Sequence, residues 1–268
     1  MPMNFPWNPI GSGEMAGPHR ADYSCCQILG VRFFCGEASA AVQRMRKGGL
    51  LVAPAAPALA DLPTNAGYRE ALLNADLAIA DSGLMVLVWN LLESTALRRL
   101  SGLEYLRELL KGQDLRQPHQ AFWIMGSAAS AERNIAWLGM QGIEVDSADT
   151  YIAPMYVGDI RDSTLVKILS SRRPQHVIVT IGGGAQERLG FYLRQNLDYV
   201  PAIHCIGAAI AFLSGDQVNI PVWADKAYLG WLFRCVSNPM RYVPRYWRAG
   251  GLLKLLCKYR SRCPVDEF

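Results

Sequence analysis

Asp81 closes the apolar run Leu77-Ala78-Ile79-Ala80 and is followed at once by Ser82-Gly83. A carboxylate at the end of such a run, above a helix start, can take the proton of an attacking hydroxyl, the work of a general base. The same position suits a helix N-cap, where a short acceptor side chain satisfies a backbone N–H; residue type alone leaves both readings open. Gly182-Gly183-Gly184, ahead of Ala185-Gln186-Glu187-Arg188, is a second candidate. Backbone N–H groups at a helix start suit a phosphate or a sugar hydroxyl, and a tight turn without a ligand is the plain alternative. Glu187 stands where a dinucleotide fingerprint needs its third glycine, so that fingerprint is not supported. Gly126-Ser127 is a weaker turn of the same kind.

The third candidate is a basic tail. From Lys226 to Arg262 there are nine Lys and Arg and no Asp or Glu, which leaves the rest of the chain at a net −5 although the whole carries +4. Tyr228, Trp231, Phe233, Tyr242, Tyr246, Trp247 and Tyr259 are interleaved with these bases. Arginines can clamp a diphosphate, a basic helix with Trp and Leu can lie on anionic lipid, and basic plus aromatic residues can hold single-stranded nucleic acid. A solvated helix face fits poorly, because surfaces ordinarily mix both signs and Leu252-Leu253-Lys254-Leu255-Leu256 is strongly apolar. Seven cysteines show no C-x-x-C spacing and four histidines are scattered, so no zinc pattern is present. An odd cysteine count in a chain of this size argues for reduced thiols and a cytosolic compartment.

The elements that must position these residues follow from periodicity. With 268 residues, 51% of them hydrophobic, the chain can bury a large core, which excludes disorder. Residues 1–24, rich in Pro and Gly, are expected to be a flexible lead-in, neither signal peptide nor membrane anchor. Apolar runs such as Leu84–Leu92 and Ile206–Leu213 fall well short of a membrane span. Strands are expected at Gln27–Phe34, Leu50–Ala53, Leu77–Ala80, Ala121–Met125, His176–Ile181 and Ala202–Ile206. Helices are expected at Glu37–Arg46, Tyr68–Ala75, Leu84–Leu92, Leu103–Lys111, Ala129–Met140, Ser163–Ser171 and Gln186–Leu197. The alternation predicts an α/β domain over 25–218, a doubly wound, mostly parallel, Rossmann-like sheet with ligands at the strands' carboxyl ends. Over 219–268 the rhythm stops, and Trp223–Val236 and Met240–Lys258 are expected to form a helical basic appendage broken at Pro239 and Pro244.

Several blocks also occur in a telling order: Tyr68–Asp81, Arg99-Leu-Ser-Gly102, Gly182-Gly-Gly-Ala-Gln186-Glu187, Gly207–Gly215, Pro221-Val-Trp223, Leu229–Arg234 and Pro239-Met-Arg241. Together they resemble the motifs of the WecG/TagA/CpsF family of bacterial glycosyltransferases (glycosyltransferase family 26), from Ile28 to about Tyr246. The resemblance implies a metal-independent, inverting enzyme without a cofactor, moving a sugar from a UDP-sugar to a lipid-diphosphate-linked glycan. It implies a peripheral position on the cytoplasmic face of the membrane. Asp81 falls on the family's proposed catalytic base, and Arg99 and Gln186 on residues of its pocket. Gly182, Gly183, Gly184 and Glu187 accompany Gln186, and Arg234, Arg241 and Arg245 fall on arginines thought to close over the donor diphosphate. Trp247, Arg248, Leu252, Leu253, Lys254, Leu255, Leu256 and Lys258 are then left for the membrane. A homo-oligomer is compatible with this reading, and no nucleic-acid partner is implied. The departures are Ala53 and Ala55 for the family's Thr and Asn, Ser82 for Gly, Gly184-Ala185 for Pro-Lys, and Ala211 for Asp. They keep open a non-catalytic sugar-nucleotide or lipid-diphosphate binder as the alternative.

Overall fold

The structure, a computed structural model, describes residues 24–215, 236 and 239–264, without the side chains of 241–243, 245, 246 and 248. The expected lead-in and nearly all of the expected helix Trp223–Val236 lie outside these residues.

Short runs rich in β-branched and aromatic residues form the strands. They are β1 (Cys25–Ile28), β2 (Val31–Phe34), β3 (Gly49–Val52), β4 (Leu77–Ile79), β5 (Ala121–Met125), β6 (Thr150–Ile152), β7 (His176–Val179) and β8 (Ala202–Cys205). One sheet holds them in the order β1-β2-β4-β3-β8-β7-β5-β6, parallel throughout except between β1 and β2. The central strands β3, β5, β7 and β8 are buried along their whole length, which is why they read as unbroken apolar runs.

Helices cover both faces: α1 (Ala38–Met45), α2 (Ala56–Leu59), α3 (Ala66–Leu73), α4 (Gly83–Glu93), α5 (Gly102–Leu109), α6 (Ala128–Met140), α7 (Ser163–Arg172), α8 (Ala185–Asn196), α9 (Ala209–Leu213) and α10 (Pro239–Tyr259). Alternation along each strand assigns side chains to two cores. Leu50, Val52, Phe122, Ile124, Val177 and Val179 meet α2, α3, α4, α7, α8 and α10. Leu51, Trp123, Met125 and Ile178 meet α1, α5, α6 and α9. The sheet is doubly wound and Rossmann-like, as the βαβ rhythm predicts.

Three expectations need correction. Gln27–Phe34 is a hairpin rather than one strand, turning at Leu29 (φ 50°) and Gly30 (φ 81°). Two left-handed residues are what a two-residue hairpin turn requires, and Leu29 hid the turn because it is apolar and buried. Secondly, α10 runs through Pro244 without breaking; the proline removes one backbone donor, and the later part of the helix is held by packing of Ala249, Leu252 and Leu256. Thirdly, Leu252 and Leu256 do not face outward: both are fully buried, with Ala249, in the core beside α2 and α4. The residues after α10 fasten the hairpin, Leu29 N–H donating to Arg260 O (2.7 Å) and Gly30 N–H to Ser261 O (2.9 Å). A side chain at residue 30 would collide with Cys263.

The halves of the sheet, β1–β4 and β5–β8, meet where β3 pairs with β8. The loops leaving β4, β3, β8 and β7 therefore stand side by side at the carboxyl edge, the switch point at which such sheets bind ligands.

Candidate active site

Asp81 stands two residues past β4's carboxyl end, with Ala80 between. Ser82, not Asp81, caps α4: its Oγ accepts from Met85 N–H at 3.1 Å. Capping of α4 by Asp81 is thereby closed. Its carboxylate turns instead toward α5, where Oδ1 accepts from Gly102 N–H at 2.9 Å. Arg99 brackets the same loop, donating from Nε to the Asp81 carbonyl (2.7 Å) and bringing Nη2 to 3.9 Å from Asp81 Oδ1. Both side chains stay partly open, 27% for Asp81 and 17% for Arg99. Leu100 N–H donates to Ala80 O (3.2 Å), so the loop before α5 is held along the strand end.

α5 is itself fixed from below. Tyr105 Oη meets His204 Nδ1 (2.9 Å), His204 Nε2 meets His176 Nδ1 (3.1 Å), and His176 Nε2 meets Asp114 Oδ2 (3.2 Å). Burial holds both histidines below the usual imidazole range, His204 strongly so, with His176 adding to the effect on His204. No motif in the sequence announces this chain, because its members come from four separate segments.

On the other side of the switch point, Gly184 adopts φ 89° ahead of α8, a backbone that favours glycine, and open space lies before Gly182 and Gly184. The turn is less free toward a ligand than a bare helix start. Gly184 N–H donates to Glu187 Oε2 (2.7 Å), and Gln186 N–H donates to Gly182 O (3.2 Å). Gln186 is buried; its Oε1 accepts from Gly207 N–H (2.6 Å) and its Nε2 donates to Glu187 Oε1 (3.0 Å). Glu187 is wholly buried with both oxygens engaged, so it does not reach a substrate as expected. Burial pushes its carboxyl up to about 7, against the lowering effect of its own hydrogen bonds, with the charge of Asp81 adding a small upward push.

The structure thus brings together Asp81, Arg99, the Gly182–Gly184 turn and Gln186. Gly102, whose N–H orients Asp81, carries no sign of that role in the Arg99–Gly102 block. Arg234 lies outside the described residues, and Arg241, Arg245 and Arg248 lie on α10 with side chains outside them. A cavity of ≈ 490 Å³, lined among others by Cys25, Cys35, Glu37 and Arg98, contains none of these residues. Among the described residues no three His, Cys, Asp or Glu gather as a metal site needs, and no described helix is long and apolar enough to cross a membrane.

The family model described as Glycosyl transferase WecG/TagA/CpsF matches residues 26–263. Two curated proteins named N-acetylglucosaminyldiphosphoundecaprenol N-acetyl-beta-D-mannosaminyltransferase are similar. The one from Bacillus spizizenii is 24% identical over 68% of this chain and 70% of its own. The one from Bacillus subtilis is 22% identical over 67% of this chain and 70% of its own.

Proposed function

The chain belongs to the WecG/TagA/CpsF family of glycosyltransferases, and from that premise we propose that it moves a sugar from a UDP-sugar to a polyprenyl-diphosphate-linked saccharide, with inversion at the anomeric carbon. The observation that carries this reading is Asp81: relieved of capping by Ser82, held at one oxygen by Gly102 N–H, and set at the switch point of the sheet. As the acceptor hydroxyl attacks the anomeric carbon, its proton passes to Asp81 and the C–O bond to UDP breaks on the opposite face. Arg99 fixes the loop that carries the base. The charge gathering on departing UDP falls to Arg234, Arg241 and Arg245, guanidinium groups being suited to bidentate phosphate contacts.

The Gly182–Gly184 turn takes sugar hydroxyls rather than phosphate, because Glu187 already places a carboxylate at the positive end of α8. The relatives' names specify an N-acetylmannosaminyl group and an N-acetylglucosaminyl-diphospho-undecaprenol acceptor; a lipid-diphosphate acceptor of that chemistry suits this chain. Ala53, whose Cβ lies against Gly102, and Ala55 replace two polar side chains of the family's pattern, so the sugar accepted here has fewer hydroxyls read at that point. Exposed Trp247, Leu253, Lys254 and Lys258 on α10 favour seating at the inner face of the membrane. The test is Asp81→Asn assayed with a UDP-sugar and a polyprenyl-diphosphate saccharide: transfer falls by about 10²–10⁴-fold with thermal stability little changed. Full transfer by that variant removes Asp81 from the mechanism.

A further inference from the structure

A chain of side-chain contacts links two of the turns at the switch point. It runs from Gly184 N–H to Glu187 Oε2, from Glu187 Oε1 to Gln186 Nε2, and from Gln186 Oε1 to Gly207 N–H. Gly207 lies in the connection from β8 to α9 at φ 63°, so both ends of the chain are glycine amides in backbone that few other residues adopt. The middle link is the only ionisable one, and it can hold both neighbours only as an acceptor. An ionised carboxylate accepts at both oxygens. A protonated one turns one oxygen into a donor, which then faces an N–H and loses that contact. Gln186 cannot make up the loss, since its Oε1 is committed to Gly207.

We propose that Glu187 is a positioning residue: its ionised carboxylate clasps the β7–α8 and β8–α9 turns together, and protonation opens the clasp and weakens binding of the sugar donor between them. The proposal rests on the function given above for where the donor lies, but the clasp itself does not. The groups facing Glu187 are few. Asp81 approaches from the loop after β4, Tyr68 from α3 with its buried Oη lacking a partner, and Cys205 from β8 as a buried thiol donating to Gln186 O. Among the described residues none of these is a cation, so burial raises the carboxyl to about 7 and places the change of state in the neutral range.

Two readouts separate the clasp from the function. Protection of the Gly184 and Gly207 amides against hydrogen exchange, corrected for intrinsic rate, falls in the wild type as pH drops from 8 to 6. In Glu187→Gln, whose amide carries a donor at all pH values, protection is low and flat. With an active donor–acceptor pair, KM for the UDP-sugar rises roughly tenfold over the same interval, the effect of one charge-assisted hydrogen bond lost. Glu187→Gln shows the raised KM at pH 8 without further pH dependence, while kcat changes less. Amide protection that is equally flat in the wild type overturns the clasp. Protection that titrates beside a KM that does not overturns its link to the donor. Titrating protection with no transfer under any condition counts against the function and leaves the clasp standing.

Discussion

Because Ser82 supplies the acceptor for Met85 N–H, Asp81 keeps its carboxylate for other work. A single hydroxyl thus frees the neighbouring acid from α4 and leaves it to meet Gly102 N–H at the start of α5. Glu187 makes the opposite bargain, giving up contact with solvent to organise two turns. That burial has a thermodynamic sign. In the unfolded chain a glutamate ionises near 4.3, whereas the folded group holds its proton to about 7. Across that window the folded chain retains a proton that the unfolded chain releases, so this group's contribution to stability declines as pH rises from roughly 4.5 to 7. His176 and His204, held low by burial, slope the other way, their contribution being lost on acidification below about 6.5. The measurement is therefore a difference: the stability of the wild type relative to Glu187→Gln, followed by thermal melts, drops between pH 5 and 8 by a few kcal/mol. An unchanging difference means that the carboxyl titrates in its ordinary range.

Among the elements, α2, like α9, begins without a side-chain cap. Ala55 occupies its N-cap position and offers no side-chain acceptor, whereas Ser82, Ser101 and Asp162 cap α4, α5 and α7. Ala55→Asn is expected to stabilise the protein by about 1 kcal/mol in denaturant titrations. Legibility in the sequence followed element length and burial. The strands buried on both faces and the helices of eight residues or more were plain, and so was Asp81, whose place follows from where an apolar run stops. The three-residue edge strand β6, and α2 and α9 with four and five residues, are too short to display a period. The roles of Gly102 and Gly207 were hidden for another reason: a backbone N–H leaves no mark on residue type, and only the fold shows what it meets.

At the scale of the molecule, the tail's leucines divide between two tasks that composition could not separate. Leu252 and Leu256 sit in the core beside α2 and α4, while Leu253 and Trp247 are 47% and 85% exposed. Helical period, rather than hydrophobicity, sorts them. Leu252→Ala is expected to cost about 2–5 kcal/mol of stability, as a cavity in a packed core does. Trp247→Ser combined with Leu253→Ser leaves the melting temperature in place and lowers sedimentation with anionic vesicles. Equal vesicle binding by that double variant removes these two residues from the membrane reading. Cutting off the whole tail would confuse the two effects, because α10 belongs to the packed layer. The hairpin of β1 and β2 depends on the same segment, with Leu29 and Gly30 bonded to Arg260 and Ser261. Those partners leave the ribosome more than two hundred residues after the hairpin, a wait of roughly 10–50 s at ordinary elongation rates. Throughout that time the Leu29 and Gly30 amides lack the partners they have in the finished protein, so a nascent chain stalled before α10 leaves this hairpin turn unfastened.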